Sequence, residues 1–189
     1  MGFFSKIFGK KNKEGANSVL EICAPVDGEV VSTAKVKDET FSQDMIGHGF
    51  AMIPTNGDFV APIDGELTLV AETGHAFSIK ANNGVEILIH IGIDTVNINS
   101  ADASGKSKTK AQRKPGDPLE GFKILAKTGD NVKRGTPIIT ADIDFIKSKK
   151  LDTITPIVII NNEFSANKTL SSILVSGQVT KGTKVIEIK

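Results

Sequence analysis

The sequence has no tryptophan, no tyrosine, one cysteine at Cys23 and no long hydrophobic run. A single cysteine excludes an internal disulfide and a cysteine-based zinc site. We interpret Cys23, between Ile22 and Ala24, as a buried apolar residue rather than a reactive thiol. No apolar run has the length of a membrane-spanning helix, and lysines interrupt the apolar residues at the start, which excludes a secretory signal peptide. The expected compartment is therefore the reducing cytoplasm.

An excess of charge of one sign is also absent. The 23 basic and 22 acidic residues give a net charge of +1, which argues against nucleic acid as a partner. With 189 residues, of which 39% are hydrophobic, the chain has the size and composition of one soluble domain with a short appendage.

Residues 1–18 differ in composition from the rest of the chain. Their apolar residues recur at the spacing of one helix face, and lysines occupy the other faces: Phe3, Phe4, Ile7 and Phe8 against Lys6, Lys10, Lys11 and Lys13. We interpret this stretch as a basic amphipathic segment whose residues 1–13 make weak contact with the inner surface of the membrane. The alternative is a frayed tail whose lysines serve solubility. The main domain is expected over residues 19–189.

From Glu21 onward, short β-branched runs alternate with turn residues. The runs include Glu29-Val30-Val31, Phe59-Val60-Ala61, Glu86-Ile87-Leu88-Ile89, Pro137-Ile138-Ile139 and Ile157-Val158-Ile159-Ile160. Regular short strands of this kind predict an all-β sandwich or barrel. Helix signals are few, and only Asp144–Lys150 predicts a turn or two of helix.

Two short motifs recur in the sequence. Ala24-Pro25-Val26-Asp27-Gly28-Glu29 returns as Ala61-Pro62-Ile63-Asp64-Gly65-Glu66, and Val132-Lys133-Arg134-Gly135-Thr136-Pro137 returns loosely as Val179-Thr180-Lys181-Gly182-Thr183-Lys184. Proline fixes φ and glycine permits a positive φ, as such turns require. The recurrence predicts an internal pseudo-repeat, with the β fold assembled from two similar halves.

Residues 99–118 break the strand-and-turn pattern. The stretch is rich in serine, lysine and alanine and has no larger aliphatic residue before Leu119. We predict an exposed insertion loop. The alternative is a basic docking arm, because the stretch carries five cationic residues. They are Lys106, Lys108, Lys110, Arg113 and Lys114.

Two of the three histidines lie in one predicted β-hairpin, which turns near Asn82-Asn83-Gly84. If Asn82-Asn83 is the loop, His75 lies directly opposite His90, and their Cβ atoms are about 5 Å apart. If Asn83-Gly84 is the loop, the two histidines are diagonal neighbours. In both registers they share one face of the hairpin, whereas His48 has no such partner and is interpreted as structural.

The alternation along the second strand assigns its two faces. The β-branched residues Val85, Ile87, Ile89 and Ile91 are expected to face the core. His90 would then point outward beside Leu88 and Phe77. The sequence therefore predicts two imidazoles in a partly apolar surface patch.

A pair of imidazoles on one surface suits phosphoryl transfer. A neutral imidazole is a good nucleophile near neutral pH, so one histidine can attack a phosphoryl donor. The second can donate a hydrogen bond to the phosphoryl oxygens, and a hydroxyl such as Thr73 can add another. The weaker alternative is a zinc ion between His75 and His90, completed by further ligands.

Five segments of the sequence carry a family resemblance: Ile22–Gly28, Val60–Gly65, Glu72–Ile79, His90–Val96 and Leu151–Val158. They resemble the signature of the glucose-family enzyme IIA of the bacterial sugar phosphotransferase system. The resemblance covers about residues 19–98 and 119–189. It implies an antiparallel β-sandwich of the barrel-sandwich-hybrid type.

The resemblance also implies a function and a set of site residues. His90 would accept a phosphoryl group from the phosphocarrier HPr and pass it to a cysteine on a IIB domain of a sugar permease. His75 would stabilise the phosphoryl group and donate a proton, Thr73 would help by hydrogen bonding, and Asp94 would belong to the site. No cofactor is implied. Relatives often carry aromatic residues where this chain has Ala71, Leu88 and Ile91, so a smaller, aliphatic patch is expected.

Three other functions fit the sequence less well. A zinc peptidase of the lysostaphin type fits the spacing of His90 and Asp94 but requires a His-x-His pair that the sequence lacks. A biotinyl or lipoyl carrier requires a lysine that is typically next to a methionine, and no methionine adjoins a lysine. A regulatory module without transfer activity is the main alternative, and the intact histidine pair argues against it.

Overall fold

The computed structural model describes residues 19–98, 120–162, 165–166 and 168–189. The predicted basic segment at residues 1–18 and the predicted insertion at 99–118 lie outside these residues. In the described part, β-strands dominate and the helices are short, as predicted.

The described chain forms thirteen strands. They are β1 (Leu20–Cys23), β2 (Gly28–Val31), β3 (Gly47–Pro54), β4 (Asp58–Val60), β5 (Gly65–Val70), β6 (Ala76–Lys80), β7 (Glu86–His90), β8 (Phe122–Ile124), β9 (Asn131–Val132), β10 (Pro137–Ala141), β11 (Thr155–Ile160), β12 (Gly177–Val179) and β13 (Lys184–Ile188). The α-helices are α1 (Glu39–Ser42) and α2 (Ile143–Ser148), and 3-10 turns cover Thr33–Lys35 and Thr95–Asn97. Helix α2 confirms the predicted helical turn near residues 144–150.

The strands pair antiparallel in three sheets. Eight strands form the largest sheet in the order β12-β2-β3-β11-β7-β6-β5-β9, three form the order β4-β10-β8, and β1 pairs with β13. Among the described strands no sheet closes into a barrel. The predicted antiparallel all-β fold is confirmed in its sandwich form.

The largest sheet buries apolar side chains on both faces. In β11, Ile157 and Ile159 belong to the main core, whereas Val158 belongs to a second apolar cluster. Because neighbouring residues of a strand point to opposite faces, the second cluster lies on the face opposite the main core. That face also carries Leu88, next to the C-terminal end of β7.

The predicted pseudo-repeat is visible in the hydrogen bonds. Asp27 Oδ1 accepts a hydrogen bond from the backbone N–H of Lys181 at 2.7 Å, and Asp64 Oδ1 accepts one from Arg134 at 2.8 Å. These bonds hold the pKa of each carboxyl below its usual value. The matching backbone bonds run from Gly182 N to Ala24 O at 2.8 Å and from Gly135 N to Ala61 O at 2.9 Å. Each Ala-Pro-x-Asp-Gly motif therefore holds its own copy of the second motif, which confirms the two similar halves.

Candidate functional site

The hairpin that carries the histidines has a register that differs from both predicted ones. Ala76, not His75, lies opposite His90, and the turn is closed by a hydrogen bond from Ala81 N to Val85 O at 2.8 Å. The loop therefore has three residues and ends with Gly84 at φ +86°. A three-residue loop with a glycine in the left-handed region is a common hairpin connection, and neither predicted two-residue loop is correct.

His75 nevertheless reaches His90, because it precedes β6 and does not follow the alternation of that strand. Gly74, at φ +75°, turns the chain just before it, and the carbonyl of His75 accepts a hydrogen bond from Ile91 N at 2.7 Å. The two ring centroids are 5.0 Å apart, and the ring planes meet at 73°. The predicted proximity of the two imidazoles is confirmed.

The two faces of β7 are as predicted, with one exception on the neighbouring strand. Ile87 and Ile89 are fully buried in the main core, and His90 lies on the other face. Phe77 was expected beside His90, but it lies opposite Ile89 and is fully buried in the main core. The register explains this error, because residues that pair directly share a face.

His90 is half-buried, and its Nδ1 lies 2.7 Å from the carbonyl oxygen of Gly92. A carbonyl only accepts, so Nδ1 carries the proton and Nε2 keeps its lone pair in the neutral ring. Burial lowers the pKa of His90, although the Gly92 carbonyl and the charges of Asp38 and Asp94 oppose the shift. At neutral pH the ring is neutral, with a free pair on Nε2.

The turn that presents the Gly92 carbonyl is held by two fully buried threonines. Thr95 Oγ1 donates to the carbonyl of Ile91 at 2.6 Å, and Thr155 Oγ1 lies 3.4 Å from the N–H of Gly92. Gly92 has φ +70°, and a Cβ there would lie 2.6 Å from Thr95 Cγ2 and 2.8 Å from the carbonyl oxygen of Asp152. The position thus requires glycine on grounds of both conformation and space.

His75 is partly buried, and its Nδ1 forms a short hydrogen bond with the hydroxyl of Thr73. Burial, followed by the proximity of His90, lowers the pKa of His75 to about 4. The ring is therefore neutral at pH 7. Thr73 was expected as a donor to the phosphoryl group, but the structure places its hydroxyl on His75. The hydrogen bond fixes the orientation of the His75 ring.

Asp94 lies at the edge of the site, and a second aspartate lies there too. Asp94 is exposed, adopts φ +59° and acts on His90 through its charge. Asp38 acts on His90 in the same way and caps α1, accepting a hydrogen bond from Thr40 N at 2.8 Å. Sequence reasoning missed Asp38, which is recognisable only as an acidic residue at a helix N-terminus.

An aromatic ring covers His90 from α1. The rings of Phe41 and His90 have centroids 5.4 Å apart at an angle of 52°, and Phe41 is buried in the second apolar cluster. Sequence reasoning missed this residue because α1 is distant from the hairpin in the sequence. It supplies the apolar cover that the prediction assigned to Phe77.

The ring contact of the site joins His75 and His90, whereas His48 Nδ1 is hydrogen-bonded to Asp44 Oδ2 at 3.0 Å on the exposed surface. The described residues contain no group of three or more His, Cys, Asp or Glu side chains able to hold a metal ion. In the same part of the chain, no helix is both long and apolar enough to cross a membrane.

Comparison with known proteins shows which family the chain resembles. A family model described as the phosphoenolpyruvate-dependent sugar phosphotransferase system, EIIA 1, matches residues 20–164. The glucose-specific EIIA component of Staphylococcus epidermidis is 34% identical over 186 residues, which cover 98% of each chain. The glucose-specific EIIA component of Haemophilus influenzae is 36% identical over 187 residues, covering 98% of this chain and 97% of that protein.

Two further similarities concern a solved structure and a larger relative. The glucose permease IIA from Mycoplasma capricolum superimposes with a TM-score of 0.74 at 34% identity, covering 90% of this chain and 96% of that one. The glucose-specific EIICBA component of Staphylococcus carnosus is 37% identical over 168 residues, which are 89% of this chain but 22% of that protein. The fold and the family resemblance predicted from the sequence are therefore both confirmed.

Proposed function

Because the chain belongs to the EIIA 1 family of the phosphoenolpyruvate-dependent sugar phosphotransferase system, we propose that His90 carries a phosphoryl group between two proteins. Membership supports a phosphocarrier role in sugar transport. The finer proposal is that phosphorylated HPr is the donor and that a cysteine on the IIB domain of a sugar permease is the acceptor.

The observation that carries the proposal is the hydrogen bond from His90 Nδ1 to the Gly92 carbonyl. It leaves the lone pair of Nε2 free to attack phosphorus, in a ring that is neutral at pH 7. As the Nε2–P bond forms, the P–N bond to HPr breaks and the HPr imidazole leaves with the electron pair. Holding the ring in one orientation favours an in-line attack.

Phosphorylation at Nε2, with Nδ1 still protonated, places a positive charge on the ring of His90. The Gly92 carbonyl and the carboxylates of Asp38 and Asp94 oppose the burial that lowers the pKa of His90. The same three groups stabilise the charged phosphorylated ring. When a thiolate on IIB attacks phosphorus, His90 leaves as a neutral imidazole and needs no proton from solvent.

His75 is the residue that stabilises the negative charge of the phosphoryl group. If the Thr73 hydroxyl donates to Nδ1, Nε2–H of His75 is free to donate to a phosphoryl oxygen. A dianionic phosphoryl group beside the ring raises its pKa from about 4, so His75 is able to take up a proton as charge arrives.

A zinc ion between the two histidines is not part of this mechanism. The pair offers two imidazole nitrogens, one fewer than the three protein ligands that catalytic zinc sites use. No third His, Cys, Asp or Glu joins them in the described chain. Among the described residues, a resident zinc site and the peptidase alternative therefore both lack a third protein ligand.

The family supports the proposed acceptor and the proposed place of action. One relative is named as an EIICBA component, and this chain matches 22% of its length. We propose that this chain meets its IIB acceptor in the cytoplasm, at the inner face of the membrane. The proposed surface contact through residues 1–13 would keep it near a membrane-embedded permease.

The experiment is to incubate the protein with HPr that carries a labelled phosphoryl group and to find which residue of this protein takes up the label. We expect one acid-labile phosphohistidine, at His90, with phosphorus on Nε2. Two-dimensional NMR of the labelled ring distinguishes the two nitrogens. Phosphorus on Nδ1, or on His75, would contradict the proposal. A protein that binds HPr but takes no label would support the regulatory module instead.

A further inference from the structure

The peptide unit between Ile91 and Gly92 is bound on both sides by threonine hydroxyls. Thr95 Oγ1 donates a hydrogen bond to the carbonyl of Ile91 at 2.6 Å, and Thr155 Oγ1 lies 3.4 Å from the backbone nitrogen of Gly92. The hydroxyl of Thr155 donates to the carbonyl of Thr153 at 3.0 Å, so its oxygen is left to accept from the N–H of Gly92. Two side chains from distant parts of the sequence therefore hold one peptide unit of the turn.

Gly92 depends on these partners because glycine does not hold its own conformation. Its φ is +70°, and glycine populates positive and negative φ about equally. The peptide unit that follows it is bound through Ile93 N–H, which donates to the carbonyl of Asp152 at 2.9 Å. The same unit presents the Gly92 carbonyl to His90 Nδ1 at 2.7 Å. If the preceding unit were released, rotation about Gly92 would carry this carbonyl away from the imidazole.

The two threonines are fully buried. Among the residues that the structure describes, Thr95 and Thr155 are the polar ones with no exposed surface. A hydroxyl is unfavourable in such a place unless it is hydrogen-bonded, and valine has nearly the same shape without a polar atom. The two hydroxyls therefore act through the hydrogen bonds that they make to the turn.

The turn is also connected to the second imidazole of the site. Ile91 N–H donates a hydrogen bond to the carbonyl of His75 at 2.7 Å, and the carbonyl of Ile91 accepts the bond from Thr95. A displacement of Ile91 would therefore change the position of the backbone of His75 as well as the turn that follows His90.

We propose that Thr95 and Thr155 are positioning residues for phosphoryl transfer, because their hydroxyls fix the turn whose Gly92 carbonyl keeps the proton of His90 on Nδ1. This inference rests on the proposed function and deepens it. The tautomer decides which nitrogen has a lone pair for the attack on phosphorus. The buried threonines thus select Nε2 as the nucleophile without touching the phosphoryl group.

The test compares Thr95→Val, which replaces the hydroxyl with a methyl group, with Thr95→Ser, which keeps the hydroxyl. Proton–nitrogen NMR of the histidine rings, without any phosphoryl donor, shows which nitrogen of His90 carries the proton. We expect the proton on Nδ1 in the wild type and Thr95→Ser, and a mixture of both tautomers in Thr95→Val. The maximal labelling rate of Thr95→Val at saturating HPr should fall at least about ten-fold. The half-saturating concentration of HPr should be unchanged, because the binding surface is intact.

Val185→Ala is the control for a general loss of stability. Val185 is fully buried in the main core on β13, which pairs with β1 outside the sheet that carries the site. This variant should unfold more easily but keep the wild-type tautomer and maximal rate. Thr155→Val should act in the same direction as Thr95→Val and more weakly, because its bond to Gly92 is longer. It decides the question if Thr95→Val does not fold.

Three results would overturn the inference. The first is a wild-type tautomer and maximal rate in the valine variants. The second is slower labelling of Thr95→Val with an unchanged tautomer, and the third is an equal loss of rate in Val185→Ala. Failure of the proposed function looks different, because the wild type would then take no label at saturating HPr, while NMR would still show the altered tautomer in Thr95→Val.

Discussion

The rings of His75 and His90 meet edge to face, with centroids 5.0 Å apart, although the residue opposite His90 in the hairpin is Ala76. Strand pairing therefore does not bring the two imidazoles together. Gly74 turns the chain ahead of β6, and His75 is set beside His90 from outside the strand. The end of strand β7 holds the ring of His90, and the turn at Gly74 holds the ring of His75. This difference suits the two proposed roles, His90 as the nucleophile and His75 as the residue that stabilises the phosphoryl group.

Gly92→Ala tests the turn that orients His90. The added Cβ would lie 2.6 Å from Thr95 Cγ2 in a backbone with φ +70°. We expect a loss of about 2 kcal/mol or more in the free energy of unfolding, and labelling at least about ten-fold slower, because the Gly92 carbonyl moves. Urea unfolding and the labelling rate measure the two effects.

Gly129→Ala is the matched control for that substitution. Gly129 has φ +92°, but an added Cβ would meet nothing within 4 Å. Only the conformational penalty of about 1 kcal/mol is expected, with an unchanged labelling rate. Equal losses of activity in the two variants would show that the Gly92 carbonyl does not orient His90.

The low pKa of His75 predicts a pH dependence of stability. The unfolded chain takes up a proton on this histidine near pH 6.5, whereas the folded protein does so only near pH 4. The free energy of unfolding is therefore fully retained above pH 6.5 and falls as the pH drops from 6.5 to 4. His75→Gln should reduce this fall by about 1–2 kcal/mol. The reduction is no larger because His75 is partly exposed, and solvent screens its interactions.

Urea unfolding of the wild type and His75→Gln at several values between pH 4 and pH 8 measures this contribution. The stability difference between the two proteins should change below pH 6.5 and remain constant above it. NMR should place the titration midpoint of the His75 ring near pH 4. A midpoint near 6.5 with a pH-independent difference would show that the ring is not desolvated.

Residues 100–117 are predicted to be dispensable for folding. Loop length contributes little to the free energy of unfolding, since each doubling changes it by about 0.6 kcal/mol. Replacing them with a short Gly-Ser linker should leave the thermal midpoint nearly unchanged. A large drop would show that the segment packs on the domain. Slower transfer with an unchanged midpoint would favour the basic docking arm.

Deletion of residues 1–16 tests the predicted membrane contact. The truncated protein should be labelled by HPr at the wild-type rate and should transfer more slowly to a permease embedded in a membrane than to an isolated IIB domain. Each lysine near an anionic surface contributes about 1 kcal/mol to binding. Equal sedimentation of both proteins with anionic vesicles would refute the contact.

Local patterns in the sequence predicted the faces of β7, the repeated turns and the proximity of the two histidines. Strict alternation buries Ile87 and Ile89 and leaves His90 outside the main core. The register was not predictable, because Asn82-Asn83-Gly84 contains the residues of both two-residue and three-residue loops. The wrong register also led to the wrong prediction that Phe77 lies beside His90.

The rest of the site comes from segments far apart in the sequence. Phe41 and Asp38 reach His90 through α1, which is docked by the second apolar cluster rather than by any local signal. Gly92 was recognisable as a turn residue, but its role depends on Thr155, 63 positions away in the sequence. Such contacts arise from tertiary packing, which single-sequence patterns do not specify.

The most direct test of the account separates the roles of the two histidines. His90→Gln and His75→Gln are each incubated with phosphorylated HPr, a IIB domain is then added, and the label is followed as acid-labile phosphohistidine. We predict that His90→Gln takes no label. His75→Gln should accept label on His90 but pass it on poorly, because glutamine donates a hydrogen bond and cannot take up a proton. Label retained by His90→Gln, or lost only in His75→Gln, would contradict the assignment of His90 as the nucleophile.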